Sequence, residues 1–175
     1  MYYKTCYKSS IGNITLACDS NQSLIGLWFE GQKYFEAGIK DEIIPKNNLE
    51  IFEKTEDWLK RYFAGKKPET SEIPLAPVGN EFRQEVWQIL CEIPYGKVVT
   101  YGDIAKKIAQ KRGLTKMSAQ AVGGAVGHNP ISIIIPCHRV VGANGNLTGY
   151  AGGIDIKTKL LGLEGIKIEE NFVIK

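Results

Sequence analysis

Apolar and polar residues alternate over residues 2–7 and 14–18, the period of half-buried strands, and Ser9-Ser10-Ile11-Gly12-Asn13 turns between them. After the polar turn Asp19-Ser20-Asn21-Gln22, the nearly continuous apolar run Ser23-Leu24-Ile25-Gly26-Leu27-Trp28-Phe29 predicts a third, more buried strand. A small antiparallel sheet follows. The period then lengthens: Leu49, Phe52, Thr55, Leu59, Tyr62 and Phe63 recur at helical spacing, with Gly65 placed to end a helix that covers the sheet. Residues 66–80 carry three of the seven prolines and no periodicity, which predicts a linker or extended crossing segment.

Beyond residue 80 the pattern is that of short helices. Phe82, Val86, Ile89 and Leu90 form one apolar stripe closed by Ile93-Pro94-Tyr95-Gly96. Thr100 and Asp103 are spaced as a capping pair for a helix bearing Ile104, Ala105 and Ile108, and Ser118 is placed to cap another from about 119 to 127. In that last helix Ala119, Val122 and Val126 share one side. The opposite side carries Gln120, Ala121, Gly123, Gly124 and Gly127 and almost no side chain. Each mid-helix glycine costs about 1 kcal/mol relative to alanine, so either close packing against another helix or a large rigid partner must compensate. Two helices joined by a short glycine-containing turn suggest a helix-turn-helix. Lys106, Lys107, Lys111, Arg112 and Lys116 around the turn are either phosphate contacts or a solvated face.

Ile131-Ser132-Ile133-Ile134-Ile135 predicts a buried strand stopped by Pro136. Val140-Val141 and Leu147-Thr148 flank Asn144-Gly145, a hairpin signal. Residues 149–153 then predict a flexible loop, Asp155 the cap of a helix ending at Glu164-Gly165, and the last ten residues a loosely held tail.

Composition adjusts this picture modestly. The 175 residues, 43% hydrophobic and 23% charged, suit one domain, or a small one joined to a medium one. The expected division is an N-terminal scaffold over 1–65, a linker over 66–80 and a functional domain over 81–175. A net charge of +3 allows local nucleic-acid contact without the strong basicity of a histone. No apolar run approaches a bilayer span and residues 1–4 open no signal-peptide pattern, so a cytoplasmic protein without membrane contact is expected. The cysteines at 6, 18, 91 and 137 have no disulfide spacing. The two histidines, at 128 and 138, are too far along the chain to complete a metal site near Cys6 and Cys18, so no metal and no cofactor is expected.

The candidate chemistry lies in Cys137-His138. Neighbours in an extended chain point to opposite faces, so the pair by itself reads more readily as a buried cysteine beside a satisfied histidine than as a catalytic pair. The surrounding motifs change that balance. Pro136-Cys137-His138-Arg139-Val140, preceded by Gly127-x-Asn129-Pro130 and followed by Gly149-Tyr150-x-Gly152-Gly153 and Leu160-Leu161-x-x-Glu164-Gly165, resembles the O6-alkylguanine-DNA alkyltransferase family over about residues 80–166. Gly12-Asn13-Ile14-Thr15-Leu16 and the 24–29 strand extend the resemblance more loosely.

The resemblance implies an α+β protein: a ribonuclease-H-like N-terminal sheet with a helix, then a mostly helical domain with a winged-helix-like helix-turn-helix. It implies direct reversal of damage, with one alkyl group moved irreversibly from O6-alkylguanine, and from O4-alkylthymine, to Cys137 after the nucleotide is flipped out through the minor groove. His138 would activate the thiol through water, Glu164 orient the histidine, Asn129 brace the turn and Tyr101 donate to the leaving guanine. Val140, Tyr150, Ala151 and Gly152 would border the base. Ser118, Ala119, Gln120, Ala121, Gly123, Gly124 and Arg139 would meet DNA. The implied partner is alkylated double-stranded DNA, bound by a monomer with little sequence readout.

These roles are chemically coherent, because a thiol needs a base and a His–carboxylate pair is a common one, and because the alkylated atom is reachable only in an extruded nucleotide. One position departs from the family pattern: Gln120 stands where an arginine commonly enters the base stack. Two other readings stay open, a non-catalytic helix-turn-helix regulator or damage sensor and a cysteine hydrolase.

Overall fold

The computed structural model describes residues 1–174. It is a mixed α+β protein, as expected, and divides into two compact units, Met1–Gly79 with Pro130–Ile134, and Asn80–Asn129 with Ile135–Lys175. The chain thus leaves the second unit after Asn129, contributes five residues to the first, and returns at Ile135.

In the first unit β1 (Tyr2–Ser9), β2 (Gly12–Asp19) and β3 (Leu24–Phe29) form the expected antiparallel meander, and β4 (Ile43–Pro45) adds a parallel strand beside β1, giving the order β3-β2-β1-β4. All six β3 residues are buried although β3 ends the ladder. Its outer edge is covered twice. Leu24 N–H donates to Pro74 O and Ala76 N–H to Leu24 O, both at 2.8 Å, while Leu27 N–H donates to Pro130 O and Ser132 N–H to Leu27 O at 2.8 and 3.0 Å. Covering an edge strand removes a row of unpaired donors and acceptors. Pro74 and Ala76, within the stretch 66–80 expected to be a linker or an extended crossing segment, thus lie along the edge of β3.

The same pairing corrects the strand expected at 131–135. Only Ile131 makes a bridge, to Leu27, and residues 132–134 turn. Every residue from Ile131 to Ile135 is buried, with Ile133 at φ 70°, rare for a β-branched residue. The isoleucine run reflects complete burial of a turn rather than a strand, a difference that periodicity does not resolve. Helix α1 (Glu50–Phe63) buries Ile51, Phe52, Thr55, Trp58, Leu59 and Tyr62, and Gly65 follows it at φ 77°.

In the second unit α2 (Glu81–Cys91), α3 (Tyr101–Arg112) and α4 (Ala119–Gly127) pack on one another through Val86, Trp87, Leu90, Ile104, Ile108, Val122 and Val126. Thr100 and Asp103 form the expected capping box, and Ser118 Oγ accepts from Ala121 N–H at 3.1 Å. Gly113 ends α3 at φ 66°. The strand β5 (Val99–Thr100) pairs in parallel with β6 (Val140–Val141). This pairing corrects the hairpin expected at 140–148: Asn144 and Gly145 do turn at positive φ, but Asn146 bridges to Phe172 and Leu147 N–H donates to Asn171 O at 2.9 Å. The partner comes from the C-terminus, where β7 (Ile168–Glu169) and β8 (Phe172–Val173) form a hairpin in place of the expected loose tail. Helix α5 (Ile154–Leu163) begins after Gly153, not at an Asp155 cap, and Asp155 sits in its first turn. Among the described residues no helix is long and apolar enough to cross a membrane.

Candidate active site

Pro136 leads into a single 3-10 turn, Cys137–Arg139. With three residues per turn, successive side chains diverge by about 120°, so Cys137, His138 and Arg139 each take a different direction from one compact piece of backbone. All three are buried; Cys137 is 5% exposed and His138 fully enclosed. Asn129 ties the neck of the preceding excursion, its Nδ2 donating to Ile135 O at 2.8 Å, and also hydrogen-bonds the Cys137 thiol.

Glu164, at the C-terminus of α5, gathers the turn. Its Oε2 accepts from His138 Nε2 at 2.5 Å and from an Arg139 guanidinium nitrogen at 3.3 Å; its Oε1 accepts from Arg139 Nε at 2.8 Å and Gly96 N–H at 2.9 Å. Arg139 also donates to Ile93 O at 2.7 Å. Arg139 is therefore a buried bracket rather than the expected DNA contact, because the carboxylate and carbonyl that satisfy its charge both lie inward.

A carboxylate only accepts, so the proton on His138 resides on Nε2 and the basic lone pair of the neutral ring is on Nδ1. Burial pushes the His138 pKa down despite Glu164, which keeps the ring neutral. Burial disfavours charge on Glu164 too, but His138 and Arg139 outweigh it and hold the carboxyl at about 2. Burial pushes the Cys137 thiol up, opposed by hydrogen bonds from Asn129 and Tyr150 and by the charge of Lys157. A neutral thiol beside a neutral, oriented imidazole suits transfer of the thiol proton during attack rather than a standing thiolate.

Lys157 was not among the expected site residues. It is completely buried on α5, and its Nζ donates to the carbonyls of Val140 (2.7 Å), Leu147 (2.7 Å) and Gly149 (3.1 Å). Burial lowers its pKa to about 8, against the pull of Cys137. The signal was a lysine three residues before Leu160 and four before Leu161, inside an apolar stripe. Lys157→Met should fill a similar volume while stripping three carbonyls of one donor. At about 1–3 kcal/mol per acceptor left unsatisfied, less the relieved cost of burying the ammonium, urea unfolding should show a loss of about 2–4 kcal/mol.

A groove of about 640 Å³ lies between α3, α4 and the 142–149 loop, lined among others by Tyr101, Ala119, Gln120, Gly123, Thr148 and Gly149. That volume is in the range of small-ligand clefts. Tyr101 Oη lies 3.2 Å from Thr148 Oγ1, and burial pushes the phenol pKa up, so the hydroxyl keeps its proton. Tyr150 and the half-buried Ala151 and Gly152 continue the loop, with Gly153 N–H turned back to Tyr150 O at 2.9 Å.

Ser118, Ala119, Gln120, Ala121 and Gly124 are exposed along α4 and Gly123 is half-buried. Ala119 was expected on the buried side; it is the first residue of the helix and lies beyond the packed body, while Ala125 takes the inner position. A Cβ added at Gly124 or Gly127 would meet nothing within 4 Å, and one at Gly123 only the Tyr101 ring at 3.8 Å. Helix packing within this unit therefore does not explain the glycines. Of the five cations near the turn, Lys107 pairs with Glu92 and Arg112 with Glu85.

The chain matches two family models, the ribonuclease-like domain of 6-O-methylguanine DNA methyltransferase over residues 1–77 and its DNA-binding domain over residues 81–166. It is 46% identical over 170 residues to the methylated-DNA–protein-cysteine methyltransferase of Methanosarcina acetivorans, covering 94% of this chain and 99% of the relative. The protein of the same name from Haemophilus influenzae is 41% identical, with 94% and 87% covered. The crystal structure of Mycobacterium tuberculosis OGT in complex with DNA superposes with a TM-score of 0.78 at 40% identity, covering 93% of this chain and 91% of that one. The chain belongs to the methylated-DNA–protein-cysteine methyltransferase family.

Proposed function

We propose that the protein reverses alkylation damage in DNA by moving the alkyl group of O6-alkylguanine, and of O4-alkylthymine, onto Cys137. The observation that carries this reading is the buried Cys137–Arg139 turn held by Glu164, which presents His138 as a neutral base with its lone pair on Nδ1. In the reaction the thiol proton passes through water to Nδ1. Sulfur bonds to the alkyl carbon as the carbon–O6 bond breaks. Guanine leaves with that electron pair, stabilised by a hydrogen bond from Tyr101, and takes up a proton to become the ordinary base.

The exposed, nearly side-chain-free face of α4 fits close approach to a minor groove with little sequence readout, by a single copy of the chain. The groove beside Gln120 receives the extruded nucleotide. Flipping costs a few kcal/mol, which contacts along α4 offset. Val140, Tyr150, Ala151 and Gly152 border the base. The product is a thioether, a poor leaving group, so each chain acts once.

Incubation with an oligonucleotide containing O6-methylguanine, followed by intact and peptide mass spectrometry, tests the reading. One methyl per chain, confined to the peptide containing Cys137, is expected. An unmodified protein that still binds the duplex would identify a regulator or sensor instead, and more than one turnover per chain would contradict a single-use acceptor.

Gln120 is exposed at the groove and lacks the charge and stacking plane of arginine. Gln120→Arg is expected to tighten duplex binding about 3- to 10-fold at low salt, with the gain shrinking as salt rises. Unchanged affinity and transfer rate would show that glutamine supports flipping as well as arginine does.

A further inference from the structure

We propose that Thr148 is a positioning residue that sets the direction of the Tyr101 phenol proton. The inference rests on the alkyl-transfer reading above, in which Tyr101 must meet the incoming base as a donor.

The hydroxyl of Thr148 lies 2.7 Å from Leu147 O and 3.2 Å from Tyr101 Oη. A carbonyl oxygen cannot donate, so the single hydrogen of Thr148 goes to Leu147 O. The contact with Tyr101 then requires the phenol to be the donor. Leu147 O is itself anchored by the Lys157 ammonium at 2.7 Å. The order of donation therefore runs from Tyr101 to Thr148 to Leu147, with Lys157 holding the far end.

Thr148 has little freedom to abandon this arrangement. Its backbone is at φ 57°, which β-branched residues rarely adopt and which persists only where the surroundings over-determine it. Those surroundings are identifiable. Thr148 N–H donates to Asn146 Oδ1 at 3.0 Å, and Leu147 is fastened through its N–H to Asn171 O in the C-terminal hairpin. The γ-methyl of Thr148 lies so close to Gly142 that a Cβ there would come within 2.7 Å of it. Glycine or asparagine would adopt the same backbone with less strain, so the threonine sits here against a local preference.

Tyr101 and Thr148 both line the groove, so the phenol hydrogen is held at the wall of the space that a base would enter. An acceptor on the arriving base then replaces the Thr148 oxygen by a small rotation of the hydroxyl. With no acceptor at position 148 the phenol is free to turn to water and to face the base with its lone pairs.

The test is a double-mutant cycle on single-turnover methyl transfer at saturating O6-methylguanine duplex. Thr148→Val removes the acceptor at nearly constant shape, and Thr148→Gly removes it while relaxing the backbone, so that a folding defect in the first is caught by the second. Both are expected to slow transfer about 3- to 10-fold, the size of one hydrogen bond, with duplex Kd unchanged. Thr148→Ser keeps the hydroxyl and should retain the parent rate. In a Tyr101→Phe background Thr148→Val should cost nothing further. Parent-like rates in the valine and glycine variants, or an equal loss in the Tyr101→Phe background, would overturn the proposal. Absence of any transfer by the unmodified protein would instead overturn the alkyl-transfer reading itself.

Discussion

A Cys137→Ala variant is expected to take up no alkyl group at any time of incubation, while binding methylated duplex as tightly as the parent. The other thiols cannot substitute. His138, the base that takes the thiol proton, adjoins Cys137 in the same turn, whereas burial pushes Cys18 and Cys91 up to about 11 with no such base among their described partners, and Cys6 is an exposed residue of the first unit. The proposed DNA-contacting face of α4 is built from other residues and should be undisturbed. Loss of one buried sulfur should cost only about 1 kcal/mol of stability, so a folded, DNA-binding and chemically inert protein is the outcome. Intact-protein mass spectrometry beside a gel-shift titration checks both halves. Residual methylation at any other residue would show that the assignment of the acceptor is wrong.

Glu164→Gln is expected to slow transfer by about 10²- to 10³-fold and to destabilise the protein by about 3–5 kcal/mol. Two effects combine. The amide still accepts from Gly96 N–H, but it no longer compensates the buried Arg139 charge, and removing one member of a buried ion pair leaves the other uncompensated. The amide can also donate to His138 Nε2, which favours the opposite tautomer and places the proton on Nδ1, where a base needs its lone pair. Single-turnover kinetics and urea unfolding separate the two effects. A rate within threefold of the parent would remove Glu164 from the chemistry.

The same carboxylate predicts an acid limb in stability. Its pKa is about 2 when folded, below the usual carboxylate range near 4.5. Above 4.5 it is ionised in both states and its full contribution is present. As pH falls from about 4.5 to 2 the unfolded state binds the proton first, and on the order of 3 kcal/mol is lost. Glu164→Gln should flatten that limb.

How far the site was legible follows from the kind of signal each residue carries. Cys137, His138, Asn129 and Glu164 were legible through the motifs that resemble the family, and the structure brings them into contact around one turn. Tyr101 was placed by the same resemblance at the start of a helix whose capping box was visible locally. Arg139 was misplaced because an arginine in a DNA-binding protein suggests phosphate, and nothing local reveals that its charge is satisfied by Glu164 and Ile93. Lys157 was missed because charged residues on helices are ordinarily solvated, and its three acceptors lie 17, 10 and 8 residues away. The 131–135 strand and the 140–148 hairpin failed for a related reason. Isoleucine runs and Asn-Gly turns report burial and local twist but do not name the partner, which proved to be β3 in one case and the C-terminus in the other.

By itself, then, the sequence determined that α1 to α4 exist and how α3 and α4 are capped, most of their apolar positions, which family the motifs resemble and which thiol is singled out, since each depends on neighbours within a few turns or on motif order. Tertiary structure alone decided which way Arg139 turns, which nitrogen of His138 is basic, that a buried ammonium fastens three carbonyls, and that Thr148 faces Tyr101. The first three are properties of desolvated polar groups, and a desolvated group takes its geometry from whichever distant partner satisfies it.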